Sequence, residues 1–175
     1  MKALTSTKAR QQKYNAKVCY LDTEKMKDVL LADVDKNNPN IVKFDSKWEL
    51  VVYRILREFF PEHCIHHHYP VRLKDATPNF KLLDWRCDFA VFDGRGNLLH
   101  LIEAKGVSTR DFKLKMLMLD SYNSAMFNCL LVVSKTEERI ISSAPNFRSI
   151  NLRTLRVKME VSSSRLHGNK SLNQP

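Results

Sequence analysis

Glycine is scarce in this chain, and three of its four glycines lie around one pair of apolar segments. Gly94 and Gly96 separate residues 85–92 from residues 98–105, and Gly106 ends the second segment. The first segment is rich in aromatic and β-branched residues, which favour strands. A short glycine-containing turn between two such segments is typical of a β-hairpin. The pattern therefore predicts that the two segments pair as an antiparallel hairpin.

The other apolar patterns predict a mixture of helices and strands. Helical spacing predicts helices at 25–33, 45–60, 111–122 and 137–142. Alternation or a short apolar run predicts strands at 63–74, 127–133 and 155–161, and a loop is predicted at 75–81. Because helices and strands do not alternate regularly, we expect an α/β fold with helices flanking one mixed β-sheet.

Composition indicates how the chain is divided and which partners suit it. We expect a polar or helical extension over 1–40, one domain over 41–161 and a disordered tail over 162–175. The formal net charge is +10, which suits a polyanionic partner such as nucleic acid. No apolar run reaches the roughly 20 residues that span a bilayer, so no membrane association is expected.

Compartment is indicated by the N-terminus and the cysteines. Residues 1–20 are basic and polar and lack the apolar core of a secretory signal. The four cysteines are scattered and form no C-x-x-C pair, which is typical of reduced thiols. We therefore expect a cytoplasmic protein.

The hairpin brings charged residues of both strands together. Its turn is centred near Arg95. The register then sets Asp88 opposite either Ile102 or Glu103, and opposed residues lie about 4.5–5.5 Å apart. Glu103 and Lys105 are two residues apart and share a face. One of the two registers therefore gathers Asp88, Glu103 and Lys105 on one face of the sheet.

Two carboxylates on one face repel each other, and a divalent cation between them removes that repulsion. Hard oxygen ligands favour Mg²⁺ or Mn²⁺ over zinc. A lysine beside such a metal can hold a water or stabilise developing phosphate charge. These are the groups needed to hydrolyse a phosphodiester. The alternative is a surface salt bridge, since Glu-x-Lys is a common strand pattern.

Glu49 has two interpretations. It lies near the start of the helix predicted from residue 45, and Ser46-Lys47-Trp48-Glu49 fits the S-x-x-E capping box. Alternatively, Glu49 is a third carboxylate beside the metal. A side chain that reaches back to the cap is less free to bind metal, so the two roles partly exclude each other.

Three short motifs resemble those of the PD-(D/E)XK nuclease superfamily. They are Phe44-Asp45-Ser46-Lys47-Trp48-Glu49, Cys87-Asp88-Phe89 and Ile102-Glu103-Ala104-Lys105-Gly106. Within that superfamily they are similar to small phage endonucleases and Holliday junction resolvases, and to the nuclease subunit of cut-and-paste transposons. The resemblance covers about residues 42–135. One departure is Cys87, which stands where the family has proline.

The resemblance implies a restriction-endonuclease-like fold and specific roles for the matched residues. Asp88, Glu103 and the carbonyl of Ala104 would bind Mg²⁺, and Mn²⁺ would substitute for it. Glu49 would assist as a fourth catalytic residue and metal ligand, and Lys105 would serve the attacking water. Residues 109–115 are similar to the basic helix that follows the motif in the phage proteins. Predicted nucleic-acid contacts are Lys47, Arg86, Arg110, Lys113 and Lys115, with Arg86 on the same face as Lys105.

The expected function is that of a metal-dependent DNA endonuclease in a bacterial or phage-infected cell, with branched DNA such as a Holliday junction among its candidate substrates. Two alternatives stay open. One is a nuclease subunit of a transposition or restriction complex, and the other is a non-catalytic nucleic-acid-binding module. The site chemistry does not distinguish DNA from RNA. A homodimer is compatible with two nicks but is not indicated by any motif.

Overall fold

A computed structural model describes residues 17–106, 108–141 and 144–168. The chain forms two compact units, Met1–Leu50 and Val51–Pro175. The first unit therefore extends beyond the predicted extension at 1–40, of which residues 1–16 lie outside the described part. None of the described helices combines the length and apolar character needed to cross a membrane.

The described part of the first unit is built on a small antiparallel sheet. Its strands are β1 (Cys19–Asp22), β2 (Lys27–Val29) and β3 (Ile41–Phe44), in the order β2-β1-β3. A short 3-10 helix at Leu31–Asp33 follows β2, and helix α1 (Lys47–Phe59) begins in this unit.

The helix predicted at 25–33 is wrong, and the turn between β1 and β2 gives the reason. The Asp22 carboxylate accepts hydrogen bonds from the backbone amides of Glu24 (3.2 Å) and Lys25 (3.0 Å). Met26 then adopts a positive φ of 54°, which no helix residue has. These bonds hold a tight turn, and the residues after it pair with β1 instead of coiling.

The second unit contains the remainder of α1 and a four-stranded mixed sheet. The sheet consists of β4 (Ile65–Lys74), β5 (Leu83–Phe92), β6 (Leu98–Ala104) and β7 (Leu130–Val133), in that order. The first three strands run antiparallel, and β7 is parallel to β6. Helices α2 (Arg110–Tyr122) and α3 (Ser124–Asn128) connect those two strands, and β8 (Arg139–Ile141), β9 (Ala144–Arg148) and α4 (Leu152–Gly168) follow. The predicted α/β class, with a mixed sheet flanked by helices, is confirmed.

The predicted hairpin is confirmed as β5 and β6. Phe89 pairs with Ile102 and Ala90 with Leu101. In the turn, Gly96 has a φ of 83°, a conformation that favours glycine. The register set by this turn decides which charged residues meet at the other end of the hairpin.

Helix α2 packs on the sheet through an apolar face. Phe112, Met116 and Leu119 are almost fully buried and share one side of the helix. They join a cluster that includes strand residues from β4 to β7, namely Val71, Trp85, Cys87, Leu101, Leu130 and Val132. The cluster fixes the start of α2 against the ends of β5 and β6.

Two further predictions near the C-terminus are wrong. Residues 155–161 form part of α4 and not an edge strand, and the helix continues through residues 162–168, which were expected to be disordered. Leu155 and Met159 are fully buried four residues apart, whereas Val157 is 55% exposed, so the apolar side follows the helical period. At 137–142, where a helix was predicted, residues 139–141 form β8. Ser142 and residues 169–175 lie outside the described part.

Candidate functional site

The candidate site lies where β5 and β6 stop pairing regularly. Their last backbone pair in this direction is Phe89 with Ile102. One step further along the same register, Asp88 lies opposite Glu103. At that step a side chain binds β6, because Oδ2 of Asp88 accepts a 2.7 Å hydrogen bond from the backbone amide of Ala104. This bond fixes one carboxylate beside the residue that follows Glu103.

Glu103 is a buried carboxylate that is only half satisfied. Its side chain is 5% exposed, and Oε1 accepts a hydrogen bond from Nζ of Lys105 at 2.7 Å. Oε2 is buried and has no hydrogen-bond partner among the described residues. A buried charged oxygen without a partner is costly and uncommon. Glu103 therefore presents an oxygen that a bound cation would satisfy.

Burial raises the pKa of the Glu103 carboxyl. The Lys105 ammonium opposes that effect, and so do the nearby backbone amide of Asp88 and the charge of Lys115. Because the net shift of the Glu103 pKa is upward, desolvation outweighs the nearby positive groups. Additional positive charge would therefore stabilise the ionised form.

Lys105 is held between the sheet and α2. Its side chain is 27% exposed, and Nζ lies 4.7 Å from the centre of the Phe112 ring. Thr109 caps α2 by accepting a hydrogen bond from the amide of Phe112 at 3.3 Å, which fixes the first turn. Sequence reasoning missed this role of Phe112. Its spacing to Met116 and Leu119 marks it as buried but does not reveal which strand residue it meets.

The other basic residues predicted to contact nucleic acid differ in exposure and in their distance from the carboxylates. Lys115 acts electrostatically on Glu103, so it belongs to the surroundings of the carboxylates. Arg110 is exposed and Lys113 is half-buried on α2. Arg86 is exposed on β5 between Trp85 and Cys87, which are buried in the cluster that packs on α2.

The prediction that Arg86 shares a face with Lys105 is wrong. Trp85 contacts Phe112 with ring centres 6.3 Å apart, and Lys105 lies over the same Phe112 ring. Since side chains alternate along a strand, Arg86 points away from α2. Its nucleic-acid role stays a prediction, but on a different face from Lys105.

In the first unit, Glu49 forms the predicted capping box. Its Oε2 accepts hydrogen bonds from the backbone amides of Asp45 (2.6 Å) and Ser46 (3.3 Å). Its own amide donates to Oγ of Ser46 at 3.1 Å. The reciprocal bonds satisfy amides that the start of a helix leaves open. Lys47 is exposed in the first turn of the same helix. The roles of Glu49 as metal ligand and of Lys47 as nucleic-acid contact stay predictions.

Cys87, at the position of the family proline, is a fully buried thiol. Its Sγ donates to the backbone carbonyl of Ile102 at 3.3 Å. Burial raises its pKa well above the ordinary value for cysteine, and the charges of Glu103 and Asp88 raise it further. A protonated thiol of this kind is a packing group and not a nucleophile.

A backbone irregularity faces Asp88 from the other side. His67 pairs with Phe89 and Tyr69 with Cys87, so His68 stands across from Asp88. His68 has a φ of 53°, in the left-handed region that non-glycine residues seldom adopt. Asp88 thus lies at a point where regular pairing changes on both neighbouring strands.

No protein-family model, curated protein or solved structure matches the chain. The site must therefore be judged on its own chemistry. Asp88 and Glu103 supply carboxylate oxygens, which suit a hard divalent cation. Ala104, whose carbonyl was the third predicted ligand, is the residue whose amide holds Asp88. The donor set fits Mg²⁺ or Mn²⁺ better than a softer metal.

Proposed function

We propose that the protein is a Mg²⁺-dependent nuclease that cleaves phosphodiester bonds in DNA, with the PD-(D/E)XK arrangement of Asp88, Glu103 and Lys105. The buried, unpartnered Oε2 of Glu103 carries the proposal. A simple salt bridge needs only Oε1 and Lys105, and it would leave Oε2 at the cost of an unsatisfied buried oxygen. A divalent cation between Asp88 and Glu103 would bind this oxygen and offset the repulsion between the two carboxylates.

Each residue has a defined task in this proposal. Asp88 and Glu103 bind the cation, and the Ala104 amide keeps the Asp88 carboxylate in place. When bound, the metal would polarise the phosphate and lower the pKa of the attacking water. Lys105 is close enough to the carboxylate pair to donate a hydrogen bond to that water or to a phosphate oxygen. The Phe112 ring restricts where the Lys105 ammonium can go.

DNA is the proposed substrate because of the charge distribution of the chain. The excess of 29 basic over 19 acidic residues favours a polyphosphate partner. Exposed Arg110 and half-buried Lys113 lie on α2, the helix that also carries Phe112. The restriction-endonuclease-like version of the α/β fold is part of the same proposal, as are a branched-DNA preference and a cytoplasmic setting.

Cleavage assays with single variants test the proposal. Labelled linear DNA and a four-way junction are incubated with the protein and Mg²⁺, and products are resolved on a denaturing gel. We expect Asp88→Asn and Glu103→Gln to abolish cleavage. Asp120→Asn, the same change at an exposed position on α2, should cleave as wild type. If Asp88→Asn retains wild-type activity, the assignment is wrong.

Metal titration separates a nuclease from a binding module of the same fold. We expect calorimetry to detect Mn²⁺ binding to the wild-type protein and a loss of that binding in Glu103→Gln. The non-catalytic alternative predicts no Mn²⁺ binding and a DNA affinity that metal does not change. A protein that binds Mn²⁺ but cleaves only with an added partner would instead be a subunit of a larger complex.

A further inference from the structure

A second candidate surface lies at the loop between β4 and β5, away from the carboxylates. The backbones of Thr77 and Phe80 exchange two hydrogen bonds, of 2.8 Å and 3.2 Å, and the Phe80 amide also donates to Oγ1 of Thr77. Pro78 occupies the second position of this four-residue turn, where its fixed φ is favourable. The tip of the loop is therefore an ordered turn.

This turn presents an aromatic ring to solvent. Phe80 is 64% exposed, and Tyr122, the next most exposed Phe, Tyr or Trp side chain among the described residues, is 42% exposed. Leu82 and Leu83 follow it at 48% and 42% exposed. Nζ of Lys74 lies 4.5 Å from the centre of the Phe80 ring. The exposed ring and leucines thus leave apolar surface that a partner could cover.

The charges around the loop favour an anionic partner. Arg72 at its base is neutralised by Asp84 (2.5 Å) and Asp75 (2.9 Å), and Tyr122 of α2 donates a hydrogen bond to Asp75. Lys74 and Lys81 form no ion pair within the described part of the chain. The loop therefore combines an exposed ring with two cations whose charge is not cancelled by a paired acid.

We propose that the 75–82 loop binds nucleic acid, with Phe80 stacking on an unpaired base and Lys74 and Lys81 contacting the flanking phosphates. Aromatic rings interleaved with basic side chains are the usual means of holding single-stranded nucleic acid. The proposal extends the proposed nuclease function and rests on it for the choice of DNA. A protein partner, which would bury the ring by apolar contact alone, leaves the two unpaired lysines unexplained.

The position of the loop relates this surface to the candidate site within the same unit. Leu83, at the end of the loop, and Asp88 lie five residues apart on β5. At about 3.3 Å per residue this is about 17 Å. The span corresponds to about five base steps of DNA at 3.4 Å each. The β5 end of the loop would therefore lie about five base steps of duplex DNA from a bond cleaved near Asp88.

Binding assays in EDTA test this inference without relying on catalysis. Fluorescein-labelled oligothymidylate and a duplex of the same length are titrated, and fluorescence anisotropy is measured. We expect Phe80→Ala to weaken oligothymidylate binding about tenfold and duplex binding much less, because only unpaired bases can stack. Phe80→Trp should restore the affinity, and its fluorescence should be quenched on binding. Lys81→Ala should weaken binding to both DNAs, and the slope of log affinity against log salt concentration should fall by about one.

A matched control and three outcomes decide the result. Val157→Ala removes another exposed apolar side chain, on α4, and should not change binding. Wild-type affinity in Phe80→Ala would overturn the inference, even if the protein cleaves DNA. Loss of self-association in that variant with unchanged binding would assign the surface to protein contact and also overturn it. Phe80-dependent binding in a protein that never cleaves would refute the proposed nuclease function alone.

Discussion

Removal of the Lys105 charge should destabilise the protein in a pH-dependent way. In Lys105→Met a chain of similar length can still cover Phe112, but Glu103 loses the ammonium 2.7 Å from Oε1. The Glu103 side chain is 5% exposed, so water cannot readily replace that partner. Removing one partner of a buried ion pair costs about 3–5 kcal/mol, and the partial exposure of Lys105 favours the lower end, about 3 kcal/mol.

Protonation of Glu103 sets an upper limit to this cost. The ordinary pKa of the carboxyl is 4.5, and each pH unit above that value adds about 1.36 kcal/mol to the cost of keeping it protonated. The limit is about 4.8 kcal/mol at about pH 8 and about 0.7 kcal/mol at about pH 5. Because burial raises the folded-state pKa of Glu103, the deficit is present at high pH and lost as pH falls.

Urea denaturation followed by circular dichroism measures this effect. The free energy of unfolding is compared for wild type, Lys105→Met and the double variant Glu103→Gln with Lys105→Met, at both pH values. We expect the single variant to lose about 3 kcal/mol at about pH 8 and less than about 1 kcal/mol at about pH 5. The double variant should recover most of the loss, since no uncompensated charge is buried. An equal deficit at both pH values would refute the reasoning.

Two other residues allow independent tests. Burial lowers the pKa of His100 to about 4, helped by the charge of Lys158, so its NMR titration should have a midpoint near 4. The folded state then binds the proton more weakly than the unfolded state, so about 2 kcal/mol of stability should be lost as pH falls from 6.5 to about 4. This loss should be absent in His100→Gln. A titration midpoint at 6.5 would contradict the prediction. In Glu49→Ala, loss of the cap should lower the free energy of unfolding by about 1 kcal/mol, which thermal denaturation measures as a lower melting temperature. Glu49→Gln should lose less. Unchanged stability in Glu49→Ala would exclude a capping contribution.

The sequence predicted the hairpin well because its determinants are local. Gly94 and Gly96 mark the turn, and residues on either side pair with close neighbours in sequence. Glu103 and Lys105 are also neighbours, so their shared face follows from strand geometry alone. The two registers that stayed open differ by one residue, and the observed pairing of Phe89 with Ile102 decides between them.

Errors arose where tertiary contacts override a local pattern. The alternation of apolar residues over 155–161 is compatible with a strand. Of these residues only Leu155 and Met159 are buried, however, and their spacing of four is that of a helix. The placement of Phe112 beneath Lys105 could not be read from periodicity, because it depends on how α2 meets β6. The same holds for the action of Lys115 on Glu103.

The left-handed backbone of His68 restricts which residues can replace it during evolution. A non-glycine residue in that region costs about 1 kcal/mol or more, and β-branched side chains fit it worst. Drift at position 68 should therefore be confined to glycine, asparagine, aspartate and histidine, whatever the charge or reactivity of the side chain. A search for functional residues by conservation would then select position 68 for a steric reason, whatever its side chain contacts.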